Sequence, residues 1–502
     1  MQYVLNGKEM KACDGATISH YGVPSLVLME RASLSVVEET LKRFPEAESF
    51  LIVCGSGNNG GDGIAVARLL FLKGFSVQIA FIGNREKASV ETKTQLAIAE
   101  KYGVPAADEI PQSSYDVIFD SIFGIGLCRE VGGRYYDVIA QMNAMSGKKV
   151  AIDIASGVNA DNGHVLGIAF EADLTVSFGF PKIGHLLYPG ASCTGELAVT
   201  EIGIDEWGFL DGKPPVRRLE KSDLAQLPAR FDHSNKGSYG KLLVIAGSVN
   251  MAGAACFSAA AAYRTGAGLV RVLTPEENRI IIQTKVPEAV LTTYQKDVFD
   301  AKQLAECMAW ADVIILGPGI GTGKCAAQIV EYVLREADCP CVVDADALNL
   351  IARDHLSLEN TEASFILTPH LGEMARLSGS SIPKIRESMI ETAAAYAAAH
   401  GVVLVLKDSR TVTALADGTS YINTSGNHGM ATGGSGDVLT GVIGGLLSQG
   451  CGPDPAAVLG VYLHGLSGDA AAAAAGKRSL TASDLISGIS AVLSEAEEMK
   501  SA

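Results

Sequence analysis

The sequence predicts two α/β domains in one chain, each with a parallel β-sheet that helices cover on both faces. Continuous apolar runs, such as residues 50–54 and 402–406, alternate with helical patterns along most of the 502 residues. Strands without polar alternation are buried on both faces, as in parallel sheets. One hydrophobic core rarely organises a chain of this length. A glycine-rich cluster lies in each half, so we expect one active site in each domain.

The composition is that of a well-buried globular enzyme. Hydrophobic residues make up 48% of the chain and charged residues 19%, and the formal net charge is -16. A negative charge of this size repels nucleic acid and anionic membranes, and no run of lysine and arginine offsets it. We therefore expect neither nucleic acid nor a membrane as a partner.

The cysteines and the start of the chain indicate a reducing compartment. Ten cysteines are irregularly spaced, and the close pair Cys339 and Cys341 has neither a zinc nor a thioredoxin spacing. We interpret them as reduced core residues. The first residues lack a signal-peptide pattern, and the small apolar stretch 252–262 is too short to span a bilayer. A cytoplasmic enzyme is expected.

The N-terminal half has the pattern of a doubly wound domain. Predicted strands cover residues 50–54, 77–82, 117–120 and 150–153. Ligands of such domains lie outside the carboxyl ends of the strands. The glycine cluster of residues 55–63, Asp120 and Asp153 all fall at such ends.

A charged, proline-containing stretch at residues 211–218 predicts the boundary between the halves. Beyond it, strands are predicted at 242–246, 313–316, 341–344, 365–368 and 402–406. The halves share no fixed period, so we expect two unrelated domains, at 1–212 and 217–502.

The N-terminal glycine cluster reads Gly-Ser-Gly-Asn-Asn-Gly-Gly-Asp-Gly at residues 55–63, between a strand and a helix pattern that begins near Ile64. The amides of such a turn, at the positive end of a helix, suit a phosphate. The cluster is neither the dinucleotide fingerprint nor a Walker A loop, because its spacing differs and no Lys-Ser or Lys-Thr follows.

This half resembles the NAD(P)H-hydrate epimerase family. The resemblance rests on residues 22–32, on the Asn-Asn-Gly-Gly-Asp loop, on Asp-Ser-Ile-Phe-Gly-Ile-Gly at 120–126 and on Asp-Ile-Ala-Ser-Gly at 153–157. It implies a Rossmann-like fold and a potassium ion held by Asn59, Asp120 and Ser156. The substrate-binding residues that it implies are Asn58, Asn59, Gly60, Gly61, Asp62, Gly124, Ile125, Gly126, Leu127, Cys128, Arg129, Glu130 and Asp153.

Asp153 is the predicted acid/base residue of this half. Epimerisation at the hydrated ring carbon needs a group that delivers and removes a proton, and a shielded carboxylate at a strand end suits that task. The alternative for Asp120 and Asp153 is helix capping. Ser56 stands where the family commonly has proline, which concerns the stiffness of the loop.

The C-terminal glycine cluster, Gly-Gly-Ser-Gly-Asp at residues 433–437, precedes an apolar helix pattern. Its amides are placed to bind a phosphoryl group, with Asp437 beside them. This arrangement resembles ribokinase-like enzymes, in which the aspartate accepts a proton from the hydroxyl that is phosphorylated.

Further motifs at 236–240, 264–270, 317–321, 344–349 and 368–373 are similar to the ADP-dependent NAD(P)H-hydrate dehydratase family. The two resemblances cover nearly the whole chain, in the order of the fused repair enzymes, and imply NADHX, NADPHX and ADP as substrates, with magnesium, in a homo-oligomer. Asp437 is the implied catalytic base. The implied substrate contacts are Ala254, Gly319, Gly321, His370 and Asp437, and the implied nucleotide contacts are Lys407, Asp408, Ser409, Arg410, Thr411 and Gly436.

The C-terminal half departs from its family at three points. Asp408 stands where the family usually has glycine, and its charge would repel a phosphate unless Arg410 compensates. Asn235 replaces a common histidine before Lys236. His370 has the alternative of a satisfied, non-reacting histidine.

Two other functions stay open at this point. A vitamin kinase of the ribokinase-like type would explain residues 434–437 but leave residues 58–62 without a task. A non-catalytic nucleotide-binding module could instead occupy the N-terminal half, although Asp120, Asp153 and Ser156 together speak against it.

Overall fold

The structure is a computed structural model that describes residues 1–358 and 362–501. It divides into two compact units. One runs from Gln2 to Pro214, and the other from Pro215 to the end of the chain together with Met1. We call them the N-terminal and C-terminal domains.

The N-terminal domain is built on a parallel sheet. The strands of this sheet are β2 (Ser49–Cys54), β3 (Ser76–Phe81), β4 (Ala106–Ala107), β5 (Val117–Ser121), β6 (Lys148–Ile152), β7 (Leu174–Phe178) and β8 (Glu196–Thr200), and the short strand β1 (Gln2–Tyr3) is not part of it. Its helices are α1 (Gly7–Ser19), α2 (Ser25–Arg43), α3 (Asn58–Leu72), α4 (Val90–Tyr102), α5 (Arg134–Ala144), α6 (Ile183–Leu186) and α7 (Gly190–Thr194), with a 3-10 turn at Glu206–Gly208. The sheet has the order β4-β3-β2-β5-β6-β7-β8, with parallel pairings throughout.

Alternate residues of β2 point into different cores. Phe50 and Ile52 pack with apolar residues of α2 and α3, such as Val36. Leu51 and Val53 pack with residues of α5 on the other face. The sheet is therefore buried on both faces, which explains why its strands show no polar alternation.

The C-terminal domain has a larger mixed sheet. Its strands are β9 (Val216–Arg218), β10 (Lys241–Ile245), β11 (Leu269–Pro275), β12 (Val290–Tyr294), β13 (Val313–Leu316), β14 (Cys341–Val343), β15 (Phe365–Leu367), β16 (Val403–Leu406), β17 (Val412–Ala414) and β18 (Ser420–Ile422). They follow the order β9-β18-β17-β16-β15-β14-β13-β10-β11-β12. The run from β16 to β12 is parallel, whereas β17 pairs antiparallel with both β16 and β18.

Helices rich in small residues cover this sheet. They are α8 (Ala252–Thr265), α9 (Arg279–Lys285), α10 (Ala301–Met308), α11 (Lys324–Glu336), α12 (Asp346–Asp354), α13 (Leu371–Ser378), α14 (Ile382–Glu387), α15 (Met389–His400), α16 (Ser435–Ser448), α17 (Pro453–Ala475) and α18 (Ala482–Ser501). Short 3-10 turns lie at Lys221–Gln226, Lys236–Tyr239, Glu276–Asn278, His428–Met430 and Lys477–Ser479. Residues of α8, α16, α17 and α18 share one core with β10 and β13.

The predicted α/β fold class is confirmed, but the predicted start of the first glycine-rich helix is wrong. Helix α3 begins at Asn58, not near Ile64, so most of the glycine cluster lies inside its first turns. Packing overrides the low helix propensity of glycine here. A Cβ atom on Gly60 would lie 2.0 Å from the carbonyl oxygen of Gly55, and one on Gly63 would lie 2.3 Å from the Ser121 hydroxyl.

The cysteine prediction holds except at the surface. Every cysteine is free, and Cys13, Cys54, Cys193, Cys256, Cys307, Cys325 and Cys341 are buried. Cys339 and Cys451 are half-buried, and Cys128 is exposed, so the core assignment is wrong for Cys128. Among the helices described, none is both long and apolar enough to cross a bilayer.

We predict that Gly60→Ala lowers the free energy of unfolding of the N-terminal domain by about 1–3 kcal/mol, because the added methyl group must displace backbone. Gly15→Ala is the matched control. That glycine lies inside α1 with nothing within 4 Å of an added Cβ, so the change should raise stability by about 0.5–1 kcal/mol. Denaturant titration measures both, and equal stability of the two variants would contradict the packing argument.

Candidate functional sites

A cavity of about 780 Å³ opens at the carboxyl ends of the N-terminal strands. Gly60 and Gly61 are not among its lining residues, because they pack against Gly55 and against Met29 and Thr92. Glu130 does not line it either. The predicted residues that do line it are Asn58, Asn59, Asp62, Gly124, Ile125, Gly126, Leu127, Cys128, Arg129 and Asp153.

Asp153 directly follows β6 and is held in an unusual backbone conformation, with φ at +67°. Its carboxylate Oδ1 lies 2.5 Å from the ammonium nitrogen of Lys182, a side chain that is only 1% exposed. Lys182 also lines the cavity. Sequence reasoning missed this lysine, and the only local signal was its position soon after the apolar strand β7.

Asp62 and Asp14 share the cavity with Asp153. Burial, with the negative charges of Asp153 and Asp14, raises the pKa of Asp62 well above its usual range. Burial also raises the pKa of Asp14, helped by Asp153 and opposed by Lys182. Asp14 lies on α1, and no sequence motif pointed to it. The cavity therefore contains two carboxyl groups with raised pKa values, and perturbed carboxyl groups in a cavity are typical of functional sites.

The predicted cation ligands lie beside the cavity, where Asn59 lines it and Asp120 and Ser156 are buried outside its lining. The amide and hydroxyl of Ser156 donate to the carboxylate of Asp120, at 2.6 Å and 2.7 Å. Burial raises the pKa of Asp120 to about 6, although the bonds from Ser156 and Ile122 lower it. Asn59 donates through Nδ2 to the carbonyl oxygen of Phe123 at 3.0 Å, and its Oδ1 atom is buried with no hydrogen-bond partner.

The oxygen atoms of these three side chains suit a hard monovalent cation. A carboxylate, a hydroxyl and an orphaned amide oxygen are hard ligands, and no thiolate or imidazole is among them. Elsewhere in the described part of the chain, no group of three or more His, Cys, Asp and Glu side chains has the arrangement of a metal site.

Ser56 anchors the glycine-rich segment to the next loop of the sheet. Its hydroxyl accepts from the amide of Asn84 at 2.7 Å and donates to the carbonyl of the same residue at 3.1 Å. Where the family commonly has a rigid proline, this chain therefore holds the segment by side-chain hydrogen bonds.

In the C-terminal domain, Asp437 lies in the first turn of α16. The turn before it requires glycine, because Gly434 has a φ of +92°. Burial raises the pKa of Asp437 to about 7, with a further contribution from Asp344, while Lys407 opposes the shift. A general base with a pKa near neutrality is well matched to proton transfer at physiological pH.

Gly436, Lys407 and Asp344 form one cluster beside Asp437. The ammonium group of Lys407 donates to Asp344 Oδ1 at 2.7 Å, and it lies 3.4 Å from the place of a Cβ atom on Gly436. Asp344 is buried, and sequence analysis gave it no role although it lies in one of the family motifs.

The predicted nucleotide contacts Lys407 to Thr411 are the turn between β16 and β17. That Arg410 compensates the charge of Asp408 stays a prediction, and each of the two residues also has another partner. Arg410 donates to the carbonyl oxygen of Thr424 at 2.8 Å, whereas Asp408 lies 3.7 Å from Arg386 Nε. Arg386 belongs to α14, and nothing in the local sequence indicated the pairing. Ser409 is exposed, and the Thr411 hydroxyl donates to the Asp408 carbonyl at 3.4 Å.

The predicted substrate contacts Ala254 and Gly319 are neighbours. A Cβ atom on Gly319 would lie 2.9 Å from that of Ala254. The amide of Gly321 donates to Asp346 Oδ2 at 2.8 Å. The carbonyl oxygen of Pro369 accepts from the amide of Lys407. This bond brings the loop that contains His370 beside the cluster of Gly436, Lys407 and Asp344.

His370 caps a helix. Its Nδ1 atom accepts from the amides of Gly372 and Glu373, at 2.9 Å and 3.2 Å, at the start of α13. Its side chain is also 55% exposed. The imidazole therefore has a structural role and an accessible surface at once.

His464 is a buried histidine that sequence analysis did not single out. It lies on α17, with Nε2 at 3.5 Å from the hydroxyl of Ser435, the first residue of α16. Burial lowers its pKa to about 4. The imidazole is therefore neutral beside the helix start at neutral pH.

Each of the two domains matches a family of known proteins. Residues 242–491 match the family described as NAD(P)H-hydrate dehydratase, and residues 25–184 match the YjeF-related protein N-terminus. The bifunctional NAD(P)H-hydrate repair enzyme of Moorella thermoacetica is 40% identical, with 99% of this chain and 97% of that protein covered. The enzyme of the same name from Escherichia coli is 36% identical, with 93% and 89% covered.

A solved structure resembles the C-terminal part of the chain. It is an ADP/ATP-dependent NAD(P)H-hydrate dehydratase from Bacillus subtilis co-crystallised with ATP and Mg²⁺, with a TM-score of 0.50 and 32% identity. The match covers 56% of this chain and 99% of that one. The predicted family is confirmed over nearly the full length, and the chain belongs to the bifunctional NAD(P)H-hydrate repair enzymes.

Proposed function

We propose that the two domains divide the repair of hydrated NADH and NADPH between them. The N-terminal cavity interconverts the R and S hydrates, and the site at Asp437 dehydrates the S hydrate with ADP. One observation carries the assignment: in each domain a glycine-rich helix start lies beside a partly buried aspartate, Asp153 or Asp437. Each site thus offers amides for a phosphate and a carboxyl group for proton transfer.

Epimerisation needs two proton transfers. The bond between the ring carbon and its hydroxyl breaks as that oxygen takes a proton and leaves as water, and the ring nitrogen donates its electron pair to the carbon. Water then adds to the opposite face and loses a proton. Asp153 accepts the proton from the incoming water, and Asp62 is suited to deliver the other because burial favours its protonated form.

A potassium ion fits beside this cavity. Asn59 Oδ1, the carboxylate of Asp120 and the hydroxyl of Ser156 would hold it, and the ion would give the buried Asn59 oxygen the partner that the protein does not supply. A bound cation adds positive charge for the phosphates of the substrate. The residues that hold it also fix the segment after β5 that lines the cavity.

Dehydration proceeds through a phosphate ester in this proposal. Asp437 takes the proton of the ring hydroxyl as the oxygen attacks the terminal phosphoryl group of ADP, and AMP leaves. The bond from the ring carbon to the phosphorylated oxygen then breaks, and the ring nitrogen donates its electron pair to the carbon. Phosphate departs, and loss of a proton from the adjacent carbon restores the dihydronicotinamide. Such chemistry depends on positioning and charge stabilisation.

The adenine nucleotide would bind along Lys407 to Thr411 and at Gly436. Lys407 presents the cationic group nearest to Gly436, and the pairing of Asp408 with Arg386 reduces the repulsion that Asp408 would exert on a phosphate. Magnesium takes many of its ligands from phosphates and water, and the carboxylate of Asp344, whose Oδ2 atom lies 3.7 Å from the place of a Cβ atom on Gly436, would be its protein ligand. The homo-oligomer and the cytoplasmic location stay predictions.

We predict that Asp437→Asn abolishes dehydration but leaves epimerisation intact. The amide cannot accept the hydroxyl proton, and a loss of about 100-fold or more is expected for an acid/base residue. Recovery of reduced-nicotinamide absorbance from the S hydrate with ADP measures the first activity, and chromatographic separation of the hydrates measures the second. Asp417→Asn, at an exposed turn, is the matched control. Loss of both activities would contradict independent sites.

The dehydration rate should fall as the pH drops below about 7. The base must be ionised, burial raises the pKa of Asp437 to about 7, and protonation below that pH removes the acceptor. A pH profile of kcat/KM for the S hydrate measures the apparent pKa of this base. An acid limb near the ordinary aspartate pKa would contradict the role of Asp437.

Epimerisation should depend on potassium. Replacing potassium by tetramethylammonium at equal ionic strength should slow the interconversion of the hydrates, because a bulky cation with no affinity for oxygen ligands cannot occupy the site. Dehydration of the pure S hydrate, measured in parallel, serves as the control. Asn59→Leu, which removes the orphaned oxygen, should slow epimerisation and abolish its response to potassium. An unchanged response in that variant would exclude the assigned ligand.

A further inference from the structure

We infer that Lys182 is a positioning residue of epimerisation, whose ammonium group holds the Asp153 carboxylate in place as the proton acceptor of the N-terminal cavity. The inference rests on the proposed epimerase role of that cavity. It concerns a residue outside the glycine-rich segment and outside the segment after β5, which carry the predicted substrate contacts.

The ammonium group of Lys182 is fully engaged. It donates to Asp153 Oδ1 at 2.5 Å, to the Ser177 hydroxyl at 2.8 Å and to the carbonyl oxygen of Phe178 at 3.2 Å. A lysine ammonium has three protons, so each has an acceptor. The group is therefore held in one place, and the Asp153 oxygen that it contacts is fixed with it.

The backbone of Lys182 is fixed as well. Lys182 forms a parallel bridge with Leu5, and its amide donates to the Nδ1 atom of buried His185 at 3.1 Å. The side chain thus extends from a rigid segment to the cavity wall. An ion pair placed only to stabilise a fold gains little from burial, because desolvation offsets much of the attraction. The pair of Lys182 and Asp153 instead lines a cavity, and the backbone of Asp153 is strained.

The other charges around Asp153 are mostly negative. Asp14 faces it from α1 and Asp62 from α3, and Glu91 of α4 also lines the cavity. Without a cation, nothing would offset the repulsion among these carboxyl groups. The remaining cationic side chains among the lining residues are Lys11 and Arg129, and neither has the direct contact that Lys182 makes.

This arrangement gives the two carboxyl groups opposite roles. Lys182 holds the Asp153 carboxylate in the position of the proton acceptor, while burial favours the protonated form of Asp62, which suits it to donate a proton. The cavity thereby offers a positioned base and an acid. Lys182 itself transfers no proton in the reaction.

Lys182→Met tests the inference in the full chain. The variant keeps the length of the side chain but removes the charge. Epimerase kcat/KM at neutral pH should fall about 100-fold, the usual size of a lost acid/base contribution. The loss should fall on kcat and leave KM for the hydrates nearly unchanged, because placing the proton acceptor is an interaction made in the transition state. Lys182→Arg, which keeps the charge, should restore most of the rate.

A merely structural role predicts a different result. It would raise KM along with lowering kcat, or give Lys182→Arg the same loss as Lys182→Met, and either outcome overturns the inference. Lys101→Met, on the exposed end of α4, is the matched control and should leave both kcat and KM unchanged. Should Lys182→Met fail to fold, Ser177→Ala decides: it removes one partner of the ammonium group and should lower the rate, and an unchanged rate overturns the inference.

Asp153→Asn separates this inference from the proposed function. If that variant still epimerises, the assignment of the cavity chemistry to Asp153 fails. If it is inactive while Lys182→Met retains the kcat and KM of the unmodified chain, only the role of Lys182 fails. Dehydration of the S hydrate, measured on every variant, reports whether the C-terminal domain remains intact.

Discussion

The close approach of backbone to backbone at glycine-rich helix starts is the constraint on which both sites depend. In the N-terminal domain, Gly60 and Gly63 let α3 begin directly against the ends of β2 and β5. In the C-terminal domain, Gly434 provides the left-handed turn from which α16 starts, and a side chain there would meet the ring of Phe257. Helix amides and strand-end carboxylates thereby come within reach of one ligand.

Burial then differentiates the carboxyl groups gathered at these edges. Asp153 is paired with Lys182. The pKa of Asp62 is raised by burial and by the charges of Asp153 and Asp14. At Asp437, the charge of Asp344 raises the pKa by more than the charge of Lys407 lowers it. In the proposed functions the same residue type serves as base, acid or ligand according to its neighbours. The domains share this principle although their sheets differ in strand order and their sequences share no repeat.

Much of the fold and part of each site follow from local sequence. The apolar runs predicted the parallel strands, and the position of Asp120 and Asp153 after two such runs predicted that they meet at one edge. The start of α3 was missed because glycine signals a turn unless close packing is known. Lys182 was missed because its contact with Asp153 spans 29 residues and depends on the pairing of β6 with β7. Asp14 and Arg386 lie on helices whose local sequence carries no sign of their distant partners.

The positive φ of Asp153 sets stability against activity at a single position. A left-handed backbone disfavours any side chain, and glycine would adopt the same angle without strain. A search for stabilising substitutions that considers only backbone conformation would therefore favour glycine at this position. That substitution would remove the Asp153 carboxylate from the cavity. Improving the durability of this enzyme safely means leaving that strain in place and seeking gains elsewhere in the fold.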